Sequence, residues 1–176
     1  MIVYNVTIKI TSAIHADWLQ WIKEEHVPVM INQMAQLNKI GEALGKITGV
    51  TAMTDVTGFG FLGHLIEMAE GSGLTAEAWY DKIPAIPGVK DYIAQGVFPD
   101  GTTRNWSSYG EKVKFEKGTP VAEVFKLLPD PQTNGGLLIA VEPEEKIELI
   151  RLFEKNGLSG FVTPVGQMKA KTEKAV

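Results

Sequence analysis

Apolar side chains fall at Ile2, Tyr4, Val6, Ile8 and Ile10, every second position of a stretch rich in β-branched residues. A period of two places them on one side of an extended chain and predicts a strand with one buried face. After Thr11 and Ser12, a capping pair, the spacing changes. Ile14, Trp18, Trp21 and Ile22 recur at three- and four-residue steps, which predicts a helix over residues 13–27 that stops near Pro28. A second stripe, Met30, Met34, Leu37, Ile40, Leu44 and Ile47, predicts another helix ended by Thr48-Gly49.

Further along, Val50 to Thr54 is short and apolar and predicts a buried strand ending at Asp55. A glycine turn follows, then an apolar helix pattern from Phe61 to Glu70, closed by Gly71-Ser72-Gly73. Residues 74–83 fit either a strand or a short helix. Pro84, Pro87 and Gly88 impose loop geometry, Val89 to Gln95 gives one or two helical turns, and Phe98-Pro99-Asp100-Gly101 predicts a turn. Val113 to Glu116 alternates like a strand, and Thr119-Pro120 opens a helix through Leu127. Strand (136–141), helix (143–156) and strand (161–168) end the pattern. Such alternation predicts an α+β layer fold, a mixed sheet flanked by helices.

Composition narrows the function. The chain has 176 residues, 44% hydrophobic and 22% charged, enough for one compact domain with a small appendage. A net charge of −4 argues against a nucleic-acid surface. The basic run Lys169 to Lys174 leads into a tail, residues 171–176, read as frayed and solvated. With no cysteine, disulfides, thiolate zinc sites and cysteine nucleophiles are excluded. No apolar run approaches a membrane span and no secretory signal opens the chain, so a cytoplasmic protein is expected.

Two stretches carry candidate chemistry. In "MTDVTGFGFLGH" Asp55 stands at the predicted C-terminal end of a strand, where open sheets gather ligands, before Thr57, Gly58 and Gly60. One reading is a Mg²⁺–phosphate site, with the carboxylate on the cation and the first helical amides on phosphate; the other is a helix cap with glycines that permit close packing. In "LLPDPQTNGGLLIAV" the polar Gln132, Thr133 and Asn134 either orient a ligand or satisfy a tight turn. His64 is read as a surface or capping histidine rather than a general base, because the sequence names no partner for it. His15 and His26 lie too far apart on one helical pattern to share an ion, and Trp18 and Trp21 are read as packing residues. Arg104 is read as an exposed loop residue with or without an anion.

"TDVTGFGFLGHLIEMAEGSG", "GTTRN" and "LLPDPQTNGGLLIAV", in this order, resemble the C-terminal domain of the selenophosphate synthetase (selenide, water dikinase) family, within the aminoimidazole ribonucleotide synthetase-related superfamily. "MAQLNKIGEALGKITGV" is similar to the segment leading into that aspartate. The resemblance covers about residues 30–168 and sets a domain of 30–170, with 1–29 as an appended strand–helix segment. Residues 1–30 resemble the start of a small uncharacterised bacterial family beginning Met-Ile-x-Tyr-Asn-Val.

The resemblance implies a reaction of ATP, selenide and water to selenophosphate, AMP and phosphate, with Mg²⁺ bridging carboxylates and nucleotide phosphates. It implies Asp55 as a metal ligand, Thr57, Gly58, Gly60 and Asn134 as residues of the ATP site, and no catalytic group on this chain. The family's N-terminal domain, with its reactive residue and remaining metal ligands, has no counterpart in these residues, so an N-terminal synthetase domain on another chain is the expected partner. The competing expectation is a non-catalytic phosphate-binding or self-assembly module, the latter a homodimer through the opening strand.

Overall fold

The computed structural model describes residues 27–176, so the strand expected at 2–10, the helix at 13–27, His15, His26, Trp18 and Trp21 lie outside the described residues. The chain divides into two compact units, residues 1–37 and 38–176, eight residues later than the boundary expected at 29/30. In the first unit α1 spans Val27–Ala35, with Pro28 tolerated in its first turn. Helix α2, Ile40–Leu44, opens the second unit. The single helix expected over 30–47 is therefore two. Its stripe served different ends, since Leu44 is 0% exposed whereas Leu37 is 74% exposed, and periodicity does not say where one unit stops.

The second unit runs β1 (Val50–Asp55), α3 (Gly60–Ser72), β2 (Leu74–Ala78), α4 (Val89–Ala94), α5 (Asp100–Tyr109), α6 (Val121–Leu127), β3 (Leu137–Val141), α7 (Lys146–Lys155) and β4 (Gly166–Ala170). Strand β1 pairs antiparallel with β3, Asp55 opposite Leu137 and Val50 opposite Val141, with a bulge between Val50 and Ala52. Strand β2 pairs antiparallel with β4, Leu74 opposite Ala170 and Ala78 opposite Gly166. The expected mixed sheet is thus corrected among the described residues to two antiparallel two-stranded ladders. Each ladder joins strands far apart in the chain, with helices filling the intervals. The α+β class holds.

Helix α3 is central because it is apolar nearly all round. Leu65 and Ala69 pack with Val56, Ala76 and Leu138 against both ladders, while Leu62 and Ile66 pack with Tyr109, Val124 and Leu128 of the helical layer. Burial of each such Leu or Ile contributes about 1.5–3 kcal/mol. A third cluster, Leu44, Ile47, Leu149 and Phe153, closes the far side of β1–β3. The glycine stop of α3 is Gly73, in the left-handed region at φ 68°.

Three expectations fail for identifiable reasons. The "GTTRN" segment is not a loop after a turn but helix α5, begun by Pro99 and Asp100; it buries only Thr102 and Tyr109, too few to mark a periodic stripe. Residues 113–116 form no ladder. Val113 and Phe115 still point to one side, into the α3–α5–α6 cluster, which accounts for the alternation. Finally, residues 171–176 are tied rather than frayed: Ala76 N–H donates to Ala175 O at 2.8 Å and Lys114 N–H to Val176 O at 2.8 Å, and Val176 packs on two core clusters.

Candidate functional site

Asp55 ends β1 on the exposed side that it shares with Thr51 and Met53. Among the described residues its carboxylate has no hydrogen-bond or ion-pair partner. An exposed, unpartnered carboxylate costs nothing to leave in water, and it keeps both oxygens available. The cap reading of Asp55 therefore has no hydrogen bond behind it, consistent with Phe59 as the N-cap of α3 and no side-chain cap bond there.

Beyond Asp55 the backbone is locked. Val56 N–H donates to Gly136 O at 3.0 Å and Gly135 N–H to Val56 O at 2.8 Å. Thr57 O accepts from both Gly60 N–H and Gln132 N–H at 3.0 Å. The "DVTGFG" turn and the "DPQTNGG" loop thus form one hydrogen-bonded unit. Helix α5 fastens it: Asn105 Nδ2 donates to Gly58 O and to Pro129 O, each at 2.8 Å. The three motifs meet at that single amide.

Gly60 is part of this packing. It has φ +69°, and a β-carbon on it would fall 2.6 Å from the Pro129 carbonyl carbon and 2.7 Å from Leu128 O. Gly60 N–H is spent on Thr57 O and Leu62 N–H on Leu128 O at 3.2 Å, while the Tyr109 hydroxyl donates to Phe59 O at 2.6 Å. Two of the first three amides of α3, those of Gly60 and Leu62, thus have protein partners. Gly58 remains exposed with open space where a side chain would stand.

Asn134 is engaged in its own turn, its Oδ1 accepting from Gly136 N–H at 3.2 Å and from Asn38 Nδ2 at 3.4 Å. That fits the tight-turn reading. His64 is not a surface residue. It is 7% exposed, with Nε2 3.1 Å from the Thr57 hydroxyl and Nδ1 3.1 Å from Glu67 Oε2, and its ring meets Phe59 edge-on at 5.9 Å. Thr57 lies seven residues before it, across the turn into α3, where sequence gives no sign of contact, whereas Glu67 stands three residues on along the same helix, a spacing legible in the sequence. A shallow hollow of about 230 Å³ is lined by Ala52, Met53, Thr54, His64, Glu67 and Met68, with Asp55 outside its lining.

Asp130 was not singled out as a site residue. Burial pushes its carboxyl up to about 6 although the Thr102 hydroxyl, 3.5 Å away, pulls it down. Thr102 is itself fully buried. Arg104 lies exposed on α5, outside the hydrogen bonds of the clamp.

As a candidate metal centre the site presents one carboxylate, that of Asp55. No cluster of three His, Cys, Asp or Glu able to hold an ion exists among the described residues. One free carboxylate fits Mg²⁺, which keeps several waters and shares ligands with a phosphate chain, but not a cage built by this chain alone. No helix among the described residues is long and apolar enough to cross a membrane.

The family described as "AIR synthase related protein, C-terminal domain" matches residues 8–176, a span that starts within the segment expected to be appended. The chain is 49% identical over 152 residues to a selenide, water dikinase of Haemophilus influenzae strain 86-028NP, covering 86% of this chain and 42% of that protein. It is 46% identical over 156 residues to one from Bordetella bronchiseptica and 45% identical over 156 residues to one from Pseudomonas aeruginosa, in both cases 88% of this chain and 43% of the relative. The chain therefore spans less than half the length of these relatives. With the three motifs clamped together on an α+β frame and the match running to the last residue, the chain belongs to the AIR synthase related proteins, as their C-terminal domain, and is similar within them to selenide, water dikinases.

Proposed function

We propose that this domain supplies one wall of a Mg–ATP site in a selenide, water dikinase, the enzyme that converts ATP, selenide and water to selenophosphate, AMP and phosphate. Asp55 is its one metal ligand. The remaining ligands and the group that handles selenium come from the N-terminal synthetase domain, which these 176 residues do not include. The observation that carries the reading is the exposed Asp55 carboxylate, without a partner, at the end of a strand whose continuation is locked by Asn105, Pro129 and Gly136. Rigid backbone behind a free acidic group is what a shared cation site needs, since ligands must meet the ion without reorganising.

When bound, Mg²⁺ neutralises charge on the phosphate oxygens. This chain's own contribution is to hold the Asp55 oxygens in place, to keep Gly58 free of a side chain where the nucleotide approaches, and to hold the Thr57 hydroxyl beside them. Gly58 and Thr57 contact the ligand in this reading, whereas Gly60 and Asn134 serve the packing behind it. No group of this wall attacks the phosphorus, so the domain alone is inactive. The setting is cytoplasmic.

The test is reconstitution with the N-terminal domain of a selenide, water dikinase and measurement of AMP formed from Mg–ATP and selenide. The mixture is expected to turn over, and Asp55→Ala to lower the rate by about 10²–10³-fold, the scale of a lost charge-stabilising ligand. A rate equal to that of the unmutated mixture rejects the assignment of Asp55. No AMP above background at saturating domain concentration rejects the shared-site reading.

A further inference from the structure

The ring of His64 is held at both nitrogens, and the chemistry of its partners fixes where the hydrogens sit. A glutamate carboxylate only accepts, so His64 Nδ1 carries the hydrogen and donates to Glu67 Oε2 at 3.1 Å. In the neutral ring Nε2 is then an acceptor, so the hydrogen between it and Thr57 Oγ1, 3.1 Å away, belongs to threonine. A threonine hydroxyl has one hydrogen. With that hydrogen given to His64, Thr57 has only lone pairs left to offer a ligand.

We propose that Glu67 and His64 are positioning residues that hold the Thr57 hydroxyl as an acceptor, so that it receives a hydrogen bond from cation-bound water beside Asp55 rather than donating one to a phosphate oxygen. The inference rests on the reading of Asp55 as a cation ligand, and it changes the part given to Thr57 within it. Burial supports it: His64 is 7% exposed and Phe59 meets its ring edge-on, which limits the access of water to its nitrogens. Backbone geometry supports it as well. Thr57 O is pinned by Gly60 and Gln132 N–H groups, so the hydroxyl has a fixed origin and its orientation is left to His64. Glu67 is exposed over most of its side chain, which leaves it replaceable without a cavity.

Two measurements test the proposal on the intact chain. In ¹⁵N NMR at pH 8, His64 is expected to show the Nδ1–H tautomer; an Nε2–H tautomer in the unmutated protein overturns the proposal. Mn²⁺, added to this chain mixed with the N-terminal domain of a selenide, water dikinase, then serves as the cation probe, read by paramagnetic broadening of the amide signals of residues 55–58. Glu67→Ala removes the acceptor and is expected to raise the Mn²⁺ concentration needed by about 3–10-fold, the worth of one net hydrogen bond. Glu67→Gln, whose side-chain carbonyl still accepts from Nδ1, is expected to restore the unmutated value, and Thr57→Val to reproduce the loss. Broadening that Glu67→Ala leaves unchanged, or a Gln variant as weak as the Ala variant, overturns the relay, the second outcome meaning that only charge acts. Asp55→Asn separates the two ideas. Broadening that it does not affect removes the reading of Asp55 and the inference with it, whereas broadening that depends on Asp55 but not on Glu67 removes the inference alone.

Discussion

Gly60 and Pro129 stand so close that a β-carbon on the first would lie 2.6 Å from the carbonyl carbon of the second. Neither backbone can yield, because Leu62 N–H holds Leu128 O on one side and Gln132 N–H holds Thr57 O on the other. Gly60→Ala combines this overlap with a positive φ of 69°, each an established source of strain. A loss of about 2–4 kcal/mol is expected in urea denaturation, with the β1–β3 amides losing hydrogen-exchange protection first. A change below about 1 kcal/mol would mean that the two loops separate easily.

Asn105 ties the three motifs through one nitrogen. Asn105→Ala leaves two carbonyls without their donor and is expected to cost about 1–3 kcal/mol. Asn105→Asp is the more telling variant, since a carboxylate cannot donate and places negative charge against Gly58 O and Pro129 O. It is expected to melt below the alanine variant. The reverse order would show that the side chain matters for its volume and not for its hydrogens.

Asp130 makes stability depend on pH in the direction opposite to an ion-paired acid. Its folded value, about 6, lies above the ordinary 3.8, so the folded state holds the proton more tightly. The corresponding stability is fully present below pH 3.8 and is lost as pH rises through 6. Two pH units correspond to about 3 kcal/mol at most, less for a group that water partly reaches. Asp130→Asn is therefore expected to gain on the unmutated protein between pH 4 and pH 7 by about 1–2 kcal/mol and to show no further gain above that. Urea denaturation across the range checks it, and a difference independent of pH refutes it.

The C-terminal residues act as a clamp. Thr172 N–H donates to Thr75 Oγ1, which itself donates to Lys174 O, and Ala175 N–H donates to Lys112 O at 3.0 Å. Deletion of residues 171–176 removes these bonds and uncovers part of two core clusters. A loss of about 2–4 kcal/mol is expected from the hydrogen bonds and apolar area together, measured by thermal melting. An unchanged melting temperature would return these residues to the frayed tail that their charge suggested.

The elements with strong local signals were legible in the sequence. Helix α3, strand β3 and helix α7 follow from apolar runs and glycine stops, because the buried positions of each must repeat at its own pitch. The order of three motifs was enough to identify the family, and the end of β1 at Asp55 could be placed from the turn after it. What the sequence could not supply were relationships between distant segments. Helix α5 has almost no apolar stripe, the tail has the composition of a solvated end, and His64 gives no sign of its bond to Thr57; each is decided by contacts with residues far along the chain or across a turn.

Within the candidate site the division has the same cause. Residue type and position made Asp55 a cation ligand to consider, and its freedom from partners required coordinates. Thr57, Gly58, Gly60 and Asn134 looked alike as polar or glycine positions near it. Tertiary structure separated them, because a hydrogen bond uses a donor once and a close approach leaves no room for a side chain: Gly60 packs against Pro129, Asn134 bonds within its own turn, Thr57 meets His64, and Gly58 has open space where a side chain would stand.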